Sequence, residues 1–521
     1  MFAALLFQFI LVHSGAEGLL IHGLLMSVVV LATAFLGDRQ GRFDFRQPWA
    51  VLMVFHLPFW VIGSFKTLLD PAQRIGWIPW SDEQMPLALL LISTGFVCIS
   101  VGYRFGLGLI AERTERLVQA GEWNCSRLVP LAIVAYILVW PFRYYFYQKF
   151  LAMPYSQMLL AGPPPAFVRT FDGLIPRFLL LVVWAAYYSN PARRKLLWLG
   201  LGLTVGELVW AVIYGSSKTA FFMPVFVPIV PYIILKQRIP VLRTVLAAAL
   251  LLLIAYPYAT TLRDEYYVTD GPGRSEARRI AFEQGWFWSA PSAQGLQLYA
   301  NQALDRSGGL GALSQLLQLE QNGDLDVNGT FYLRALLGLV PRVLWPEKPI
   351  LLEGVYFNAY LQGQRGFESI DTSTVTGSVA PTLFGSFFWN LGWPGLVLTS
   401  LFLGLCSGLI YAYLRRRGNF SDPASFLYYS VFLTVLETTE QEVVKLPSSL
   451  VWGLAVTWLA IRVLDWHKSG GGSVPAVPAA APRLELKRKR GRVRRRDGGS
   501  QSAPGKPAAA ATQGGPAPLP G

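Results

Sequence analysis

Long apolar windows recur along this chain and dominate what it can fold into. About eleven of them are roughly 17 to 25 residues long, which a helix needs to cross a hydrocarbon core of about 30 Å. The composition agrees, because 53% of the residues are hydrophobic and only 15% are charged. The sequence therefore predicts an all-α fold, a polytopic membrane helical bundle of about 11 to 12 transmembrane helices. The windows lie near residues 18–36, 49–65, 85–108, 128–146, 172–189, 195–214, 218–235, 240–258, 393–414, 423–439 and 447–464.

The first residues, 1–12, form a further apolar stretch that is too short to span a membrane alone. They lack the basic start and the small-residue cleavage site of a signal peptide. A short span and a surface helix both remain open for this stretch, so the expected number of spans is 11 or 12.

One hydrophilic stretch of about 130 residues, 260–388, separates the early windows from the late ones. Lys and Arg favour short cytoplasmic loops, so charge predicts the side of the membrane. The tail after Leu464 holds 11 Lys and Arg against 3 Asp and Glu, which makes it hard to translocate. Counting spans back from a cytoplasmic tail puts the long stretch outside. The same count puts five basic loops inside, at residues 39–46, 113–127, 193–195, 236–238 and 415–417.

These features predict four parts in a multi-pass protein of the cytoplasmic (inner) membrane. They are an N-terminal transmembrane bundle (1–258), a large extracytoplasmic loop domain with surface helices (259–392), C-terminal transmembrane helices (393–466) and a disordered basic cytoplasmic tail (467–521). Within the loop, residues 275–286 and 300–319 are predicted helices, the second interrupted at Gly308 and Gly309.

The net charge of +14 comes largely from the tail, which contributes 11 minus 3, or +8. A basic tail beside a membrane span is more typical of contact with anionic lipid headgroups than with nucleic acid. We therefore expect membrane lipids among the partners, and no nucleic acid.

The residue types of the outer loop argue against several classes of enzyme. All four histidines, His13, His22, His56 and His467, lie outside residues 260–392. This argues against a Ser/His/Asp hydrolase and against a His-rich zinc site on the outer face. The chain has no GxGxxG or Walker motif. We therefore expect neither a metal nor a cofactor.

Two cations are predicted at the outer ends of apolar windows. The turn 215–218 ends in Lys218, whose charge near a helix start would add to the positive end of the helix dipole and attract an anion. Arg263 follows the end of the window 240–258, which the count of spans places on the same outer face. The structural alternatives are a tight turn with a Lys that reaches the surface, and an interfacial Arg paired with Asp264 or Glu265.

A proline-rich segment, residues 341–349, lies deep in the loop. Its three prolines cannot continue a regular helix, so we expect a rigid extended chain that holds its charged residues in fixed positions. A guanidinium and an ammonium close together suit a diphosphate, because Arg donates two parallel hydrogen bonds and Lys supplies a point charge. A purely structural proline loop is the alternative. The charged residues are Arg342, Glu347 and Lys348.

The order of these elements resembles the bacterial oligosaccharide repeat-unit polymerases of the Wzy type. The resemblance covers roughly residues 200–415. It rests most on the Pro-Arg-x-Leu-Trp-Pro-x-Lys-Pro pattern of residues 341–349 and next on Asn390-x-Gly392 at the entry to a late span. Lys218 stands where the family tends to have Arg, and Ser386 stands where it often has Glu.

The resemblance implies glycosyl transfer on the outer face of the cytoplasmic membrane, in exopolysaccharide, capsule or O-antigen synthesis. A sugar hydroxyl of one polyprenyl-diphosphate-linked oligosaccharide attacks the anomeric carbon of another, and polyprenyl diphosphate leaves. Fixed cations would stabilise the charge that grows on the leaving group. That lipid-linked oligosaccharide is the expected partner, and a chain-length regulator remains an open one.

The resemblance and the residue chemistry together give two sets of candidate site residues. A carboxylate base would help the hydroxyl attack, but the sequence does not choose among the outer carboxylates. The binding set for diphosphate and glycan is Lys218, Arg263, Arg342, Lys348 and Asn390. The catalytic set is Arg263, Arg342, Glu347 and Asp371.

Loop aromatics such as Tyr360 and Trp389 suit packing against sugar rings, although an interfacial aromatic belt accounts for them equally well. Three other classes stay open. An O-antigen ligase-like transferase is expected to use an outer His, which the loop lacks. A transferase with a monosaccharide polyprenyl phosphate donor is expected to have an acidic early outer loop. A lipid-linked glycan transporter or flippase is the non-enzyme alternative, for which a loop of this size is unusual.

Overall fold

The computed structural model of the protein is mostly helical in its described residues, and those residues contain no strand. They belong to one compact unit, Met1–Trp466. The predicted tail, residues 467–521, lies outside them. The described residues are 1–15, 18–35, 47, 58–69, 82–111, 125–146, 175–189, 191–214, 218–236, 240, 242, 244–246, 256–266, 274–284, 309–324, 327–340, 345, 353–370, 379–418, 447, 451, 454, 455 and 458.

Short turns accompany the helices: a π-helical turn at Pro58–Ile62 and two 3₁₀ turns at Asp82–Gln84 and Phe367–Ser369. The helices are α1 (Phe2–His13), α2 (Leu19–Phe35), α3 (Gly63–Leu69), α4 (Met85–Ala111), α5 (Cys125–Phe146), α6 (Ile175–Ser189), α7 (Arg194–Tyr214), α8 (Lys218–Phe226), α9 (Ile229–Lys236), α10 (Tyr256–Tyr266), α11 (Arg274–Gln284), α12 (Leu310–Gln321), α13 (Thr330–Leu337), α14 (Glu353–Leu361) and α15 (Leu383–Gly418).

Within the described ranges, three helices are long and apolar enough to cross a membrane: Met85–Ile110, Arg194–Val212 and Leu383–Tyr413. They correspond to the predicted windows 85–108, 195–214 and 393–414. Shorter apolar helices occupy residues 2–13, 19–33, 129–145, 175–189 and 223–233. The windows 49–65, 240–258, 423–439 and 447–464 lie wholly or in large part outside the described residues.

Two predicted elements differ from the structure in detail. The window 218–235 is two helices, α8 and α9, separated by a turn at Val227 and Pro228. Proline has no N–H to donate, so it interrupts the helical hydrogen bonds at this point. In the loop, α11 matches the predicted helix 275–286 closely, whereas α12 begins only at Leu310, and residues 300–308 lie outside the described part.

Helices α4 and α15 approach each other closely through glycines. A Cβ added at Gly102 or Gly106 would clash with backbone oxygens of α15, and one at Gly404 or Gly408 would clash with backbone oxygens of α4. Small residues four positions apart are typical of membrane helix pairs, because they let two backbones pack directly. We refer to this pair of helices, α4 and α15, as the frame.

The loop helices share a core with this frame. Phe384, near the start of α15, has its ring centroid 5.1 Å from Phe96 in α4 and 5.9 Å from Trp60, and all three side chains are buried. Leu313 and Leu316 of α12 are fully buried in the same cluster, which also contains residues of α13 and α14. The described loop helices therefore pack directly on the apolar helices.

Candidate functional site

The predicted site residues are unequally represented in the structure. Asn390 is described in full, and Lys218 and Arg263 are described as helical backbone. The other four, Arg342, Glu347, Lys348 and Asp371, lie outside the described residues. The site therefore has to be built from the elements that flank these residues in the chain.

Helix α15 is broken one residue after Asn390. Leu391 has φ −143° and ψ 23°, and Gly392 has φ 63° and ψ −147°, so neither is helical. The left-handed φ of Gly392 suits glycine, and Pro394 just beyond lacks a backbone donor. The break divides α15 into a short N-terminal part, which begins at Leu383, and a long apolar part that packs on α4.

Asn390 ties this break to the start of α13. Its carbonyl accepts the Gly329 N–H at 2.7 Å, and its side-chain Oδ1 accepts the Phe331 N–H at 3.2 Å. Its Nδ2 donates to the Ser386 carbonyl at 2.8 Å. The buried side chain was predicted to bind substrate, whereas in this structure its amide bonds to protein groups. Asn390 therefore connects the break in α15 to the start of α13, and we call this connection the joint.

Tyr332 makes a second connection between α13 and α15. Its hydroxyl and Oγ1 of Thr399 lie 2.6 Å apart within hydrogen-bond distance. Burial raises the pKa of the Tyr332 hydroxyl, the hydrogen bond with Thr399 lowers it, and the nearby charge of Glu353 raises it again. Glu353, which lies in α14, is therefore close enough to α13 to affect the Tyr332 hydroxyl.

Glu353 is a carboxylate that the sequence reasoning missed. It opens α14, is fully buried, and accepts a hydrogen bond from the hydroxyl of Ser386, which is also buried. Burying a carboxylate is unfavourable unless hydrogen bonds compensate it, and the first turn of a helix favours negative charge. The available signal was a single acidic residue within the otherwise apolar run 350–357. Its partner 33 positions away could not be read from the sequence.

The two flanks of the proline-rich segment 341–349 are therefore bonded to the same part of α15. Helix α13 ends at Leu337, just before the segment, and is joined to α15 through Asn390 and Tyr332. Helix α14 begins at Glu353, just after it, and is joined through Ser386. The Gly354 carbonyl also accepts the Val379 N–H, at 3.0 Å. The described chain before the segment and the described chain after it thus both bond to α15 near the Asn390-x-Gly392 motif.

The aromatic residues near this joint pack on one another. The ring centroid of Trp389 lies 5.2 Å from Phe331, 5.6 Å from Phe357 and 5.9 Å from Tyr360. Trp389 is 4% exposed and Tyr360 is 1% exposed. The expectation that these two rings stack on sugars is wrong for this structure, because their faces are covered by protein.

Lys218 and Arg263 begin or lie in helices that pack together. Phe221, one turn after Lys218 in α8, stacks edge-on against Tyr258 of α10 with 5.8 Å between centroids. Leu262, next to Arg263, belongs to the same buried cluster. The backbones at these two cations are therefore in neighbouring helices. We predict that Lys218 and Arg263 converge with Arg342 and Lys348 on one cavity, and the last two lie outside the described residues.

Among the described residues, no group of three or more His, Cys, Asp or Glu is arranged to hold a metal ion. Comparisons with models of protein families, with curated proteins and with solved structures find no match. The function has to be inferred from the residues themselves and from their geometry.

Proposed function

We propose that the protein is a multi-pass glycosyltransferase of the cytoplasmic membrane that joins polyprenyl-diphosphate-linked oligosaccharide repeat units on the outer face. In this proposal 11 or 12 helices span the membrane, the basic loops and tail are cytoplasmic, and the loop 259–392 faces outward. The resemblance to Wzy-type polymerases supplies the reaction class. Helices α4, α7 and α15 are long and apolar enough to cross a membrane, which supports a membrane location.

The observation that carries the proposal is the attachment of both flanks of segment 341–349 to the broken start of α15. The segment and the Asn390-x-Gly392 motif are the two parts of the sequence that most resemble the polymerases. A functional site needs its groups held by rigid elements, and here the flanking helices are held by Asn390 and by the bond between Glu353 and Ser386. This shared neighbourhood supports a single site built from both motifs.

The chemistry needs a nucleophile, a proton acceptor and a stabilised leaving group. The acceptor hydroxyl oxygen bonds to the anomeric carbon of the donor, while the bond from that carbon to the diphosphate oxygen breaks. The hydroxyl proton passes to a carboxylate, with Glu347 and Asp371 as candidates. Arg342 and Lys348, with Lys218 and Arg263, would take up the charge that grows on the departing polyprenyl diphosphate.

Glu353 has a positioning role in this scheme. The resembled family often has Glu where this chain has Ser386, and Glu353 supplies a carboxylate to Ser386 from a different helix. Because the carboxylate is fully buried and bonded within the protein, Glu353 acts by supporting the flank of segment 341–349 and not as the proton acceptor.

One observation favours a second candidate, a transporter of lipid-linked glycans. Transporter sites are often formed by discontinuous helices, and α15 is discontinuous. However, the Asn390 carbonyl at the break accepts the Gly329 N–H, so this group is already bonded to protein. We therefore rank the transporter second.

The experiment is Arg342→Ala in the producing cell. Loss of a preorganised, desolvated cation should slow transfer by roughly 30- to 1000-fold, which corresponds to about 2 to 4 kcal/mol. Arg342→Lys should recover only part, because an ammonium cannot donate the bidentate pair. The matched control is Arg279→Ala in the same loop, where the Arg side chain is 57% exposed and pairs with Glu276 and Glu283.

The location of the accumulated glycan decides between the classes. A polymerase defect should leave single repeat units on the outer side, with polymer absent. Single units trapped on the cytoplasmic leaflet would instead favour the transporter. Polymer that is still made but stays on its lipid carrier would favour a ligase-like transferase.

A further inference from the structure

An open cavity of about 510 Å³ lies between the start of α13 and the 3₁₀ turn Phe367–Ser369. This volume falls within the range of about 300 to 1,000 Å³ that small-molecule sites occupy. None of the residues predicted from the sequence to bind substrate lines it. The lining residues are Asn328, Thr330, Gly366, Phe367, Glu368 and Ser369.

The lining offers the groups that bind hydroxylated ligands. Asn328 carries an amide, Thr330 and Ser369 carry hydroxyls, and Glu368 carries a carboxylate, so the cavity can both donate and accept hydrogen bonds. Sugar hydroxyls need both. None of the six lining residues is Lys or Arg, which makes the cavity unsuited to a diphosphate.

The back wall of the cavity is fixed by packing. The Phe367 ring lies 5.2 Å from Phe331, and the Arg334 guanidinium sits 4.6 Å from the Phe367 centroid. Arg334 also donates to the Tyr356 hydroxyl at 2.7 Å. A wall held in this way reduces the ordering that a ligand would otherwise have to impose.

The cavity adjoins the break in α15. Thr330 lies between Gly329 and Phe331, and the backbone N–H groups of both neighbours donate to Asn390. A ligand that contacts Thr330 is therefore one residue away from the joint that holds the flank of segment 341–349. The cavity thus combines a polar lining with a direct backbone connection to Asn390.

We propose that this cavity is a saccharide subsite, which binds a sugar residue of the oligosaccharide through Asn328, Thr330 and Glu368. The inference rests on the proposed function and extends it, because it separates a glycan-binding surface from the cations that would hold the diphosphate. One part of the site recognises the sugar, and the other stabilises the leaving group.

The test is direct binding to the purified full-length protein in detergent, with two probes. The first is the lipid-free oligosaccharide released by mild acid from the host's lipid-linked repeat units, and the second is inorganic pyrophosphate. The variant combines Asn328→Gly, Thr330→Val and Glu368→Gln. Glycine tolerates the left-handed φ of 45° at position 328, and valine keeps the shape of threonine.

We expect the triple variant to bind the oligosaccharide at least about tenfold more weakly, because each lost hydrogen bond typically changes affinity about 2- to 10-fold. Glu368→Gln alone, at an exposed position, should weaken it by about 2- to 10-fold. Pyrophosphate affinity should stay unchanged in both, which also shows that the variants are folded. Glu283→Gln and Gln362→Ala, polar changes in the same loop but outside the cavity, should change neither affinity.

Equal oligosaccharide affinity in the triple variant and the unmodified protein would overturn the inference. So would the absence of saturable oligosaccharide binding by the unmodified protein. Failure of the proposed function looks different. In that case the oligosaccharide would bind and the triple variant would lose it, while Arg342→Ala cells would still make polymer.

Discussion

Among the described residues, two regions bury a carboxylate, and the partner of the carboxylate differs between them. Between α5 and α7, Glu207 meets Arg143 through two hydrogen bonds of 2.7 and 2.8 Å, and Arg143 is 1% exposed. In the loop region, Glu353 meets the Ser386 hydroxyl at the start of a helix. A buried ion pair compensates its own charge within the apolar helices, whereas Glu353 also influences Tyr332 on the neighbouring helix.

The difference indicates separate roles for the two regions. The Arg143 guanidinium sits 4.7 Å from the ring centroid of Trp210 and 5.8 Å from that of Trp140, so aromatic rings as well as Glu207 surround it. This arrangement joins α5 to α7. The Glu353 region bonds α14, which follows segment 341–349 in the chain, to α15, which carries the Asn390-x-Gly392 motif. We infer a structural role for the first region and a supporting role in function for the second.

The largest effect is expected from removal of one partner of the ion pair. Arg143→Ala leaves the Glu207 carboxylate buried without its counterion, which typically costs about 3 to 5 kcal/mol. Thermal unfolding in detergent measures it, with the exposed Arg279→Ala as control, which should change stability little. The double variant Arg143→Glu with Glu207→Arg should recover part of the loss. Equal stability of the Arg143→Ala and Arg279→Ala variants would contradict a structural role for the Arg143–Glu207 ion pair.

The next effect tests the close packing of α4 against α15. Gly102→Ala should destabilise the protein by about 1 to 3 kcal/mol, because its Cβ would clash with the backbone of α15. Gly108→Ala in the same helix is the matched control, since nothing lies within 4 Å of its added Cβ. There the better helix propensity of Ala should leave stability unchanged or raise it slightly. Similar unfolding temperatures for the two variants would show that α4 and α15 do not pack as described.

A further effect is expected at the hydrogen bond between Glu353 and Ser386. Glu353→Ala leaves the buried Ser386 hydroxyl without this partner, which should cost about 1 to 3 kcal/mol. Glu353→Gln keeps an acceptor and should cost less. The exchange Glu353→Ser with Ser386→Glu restores the pair in reverse and should recover both stability and polymer length on a gel. If the Glu353→Ala protein has normal stability and makes polymer of normal length, the Glu353–Ser386 contact supports neither the fold nor the function.

The smallest effect depends on pH. Glu320, at the end of α12, has a carboxylate oxygen 3.6 Å from where a Cβ would stand at Gly392, and partial burial raises its pKa. A raised folded-state pKa means that the ionised form opposes folding at neutral pH. Glu320→Gln should therefore raise the unfolding temperature slightly at pH 7. The gain should vanish as the pH falls below the ordinary glutamate value of about 4.3. A gain that persists at pH 3.5 would have another cause.

The apolar pattern was enough to predict the helical class and the three longest helices, because hydrophobicity over some 20 residues is a local property. The start of α11 was also predicted within one residue. The pairing of Glu353 with Ser386 was not predictable, since it joins residues 33 positions apart and depends on how α14 meets α15. Asn390 was singled out by its motif, yet its bonds to Gly329 and Phe331 appear only once α13 is placed.

The central claim, that this protein joins lipid-linked oligosaccharides, is tested most directly by reconstitution. The purified full-length protein would be placed in lipid vesicles with the host's lipid-linked repeat units, without nucleotide and with a chelator of divalent metals. We expect a ladder of lipid-linked oligomers with release of polyprenyl diphosphate, and a ladder that is much weaker with Arg342→Ala. Movement of single units between the leaflets with no ladder would contradict the claim and identify a transporter.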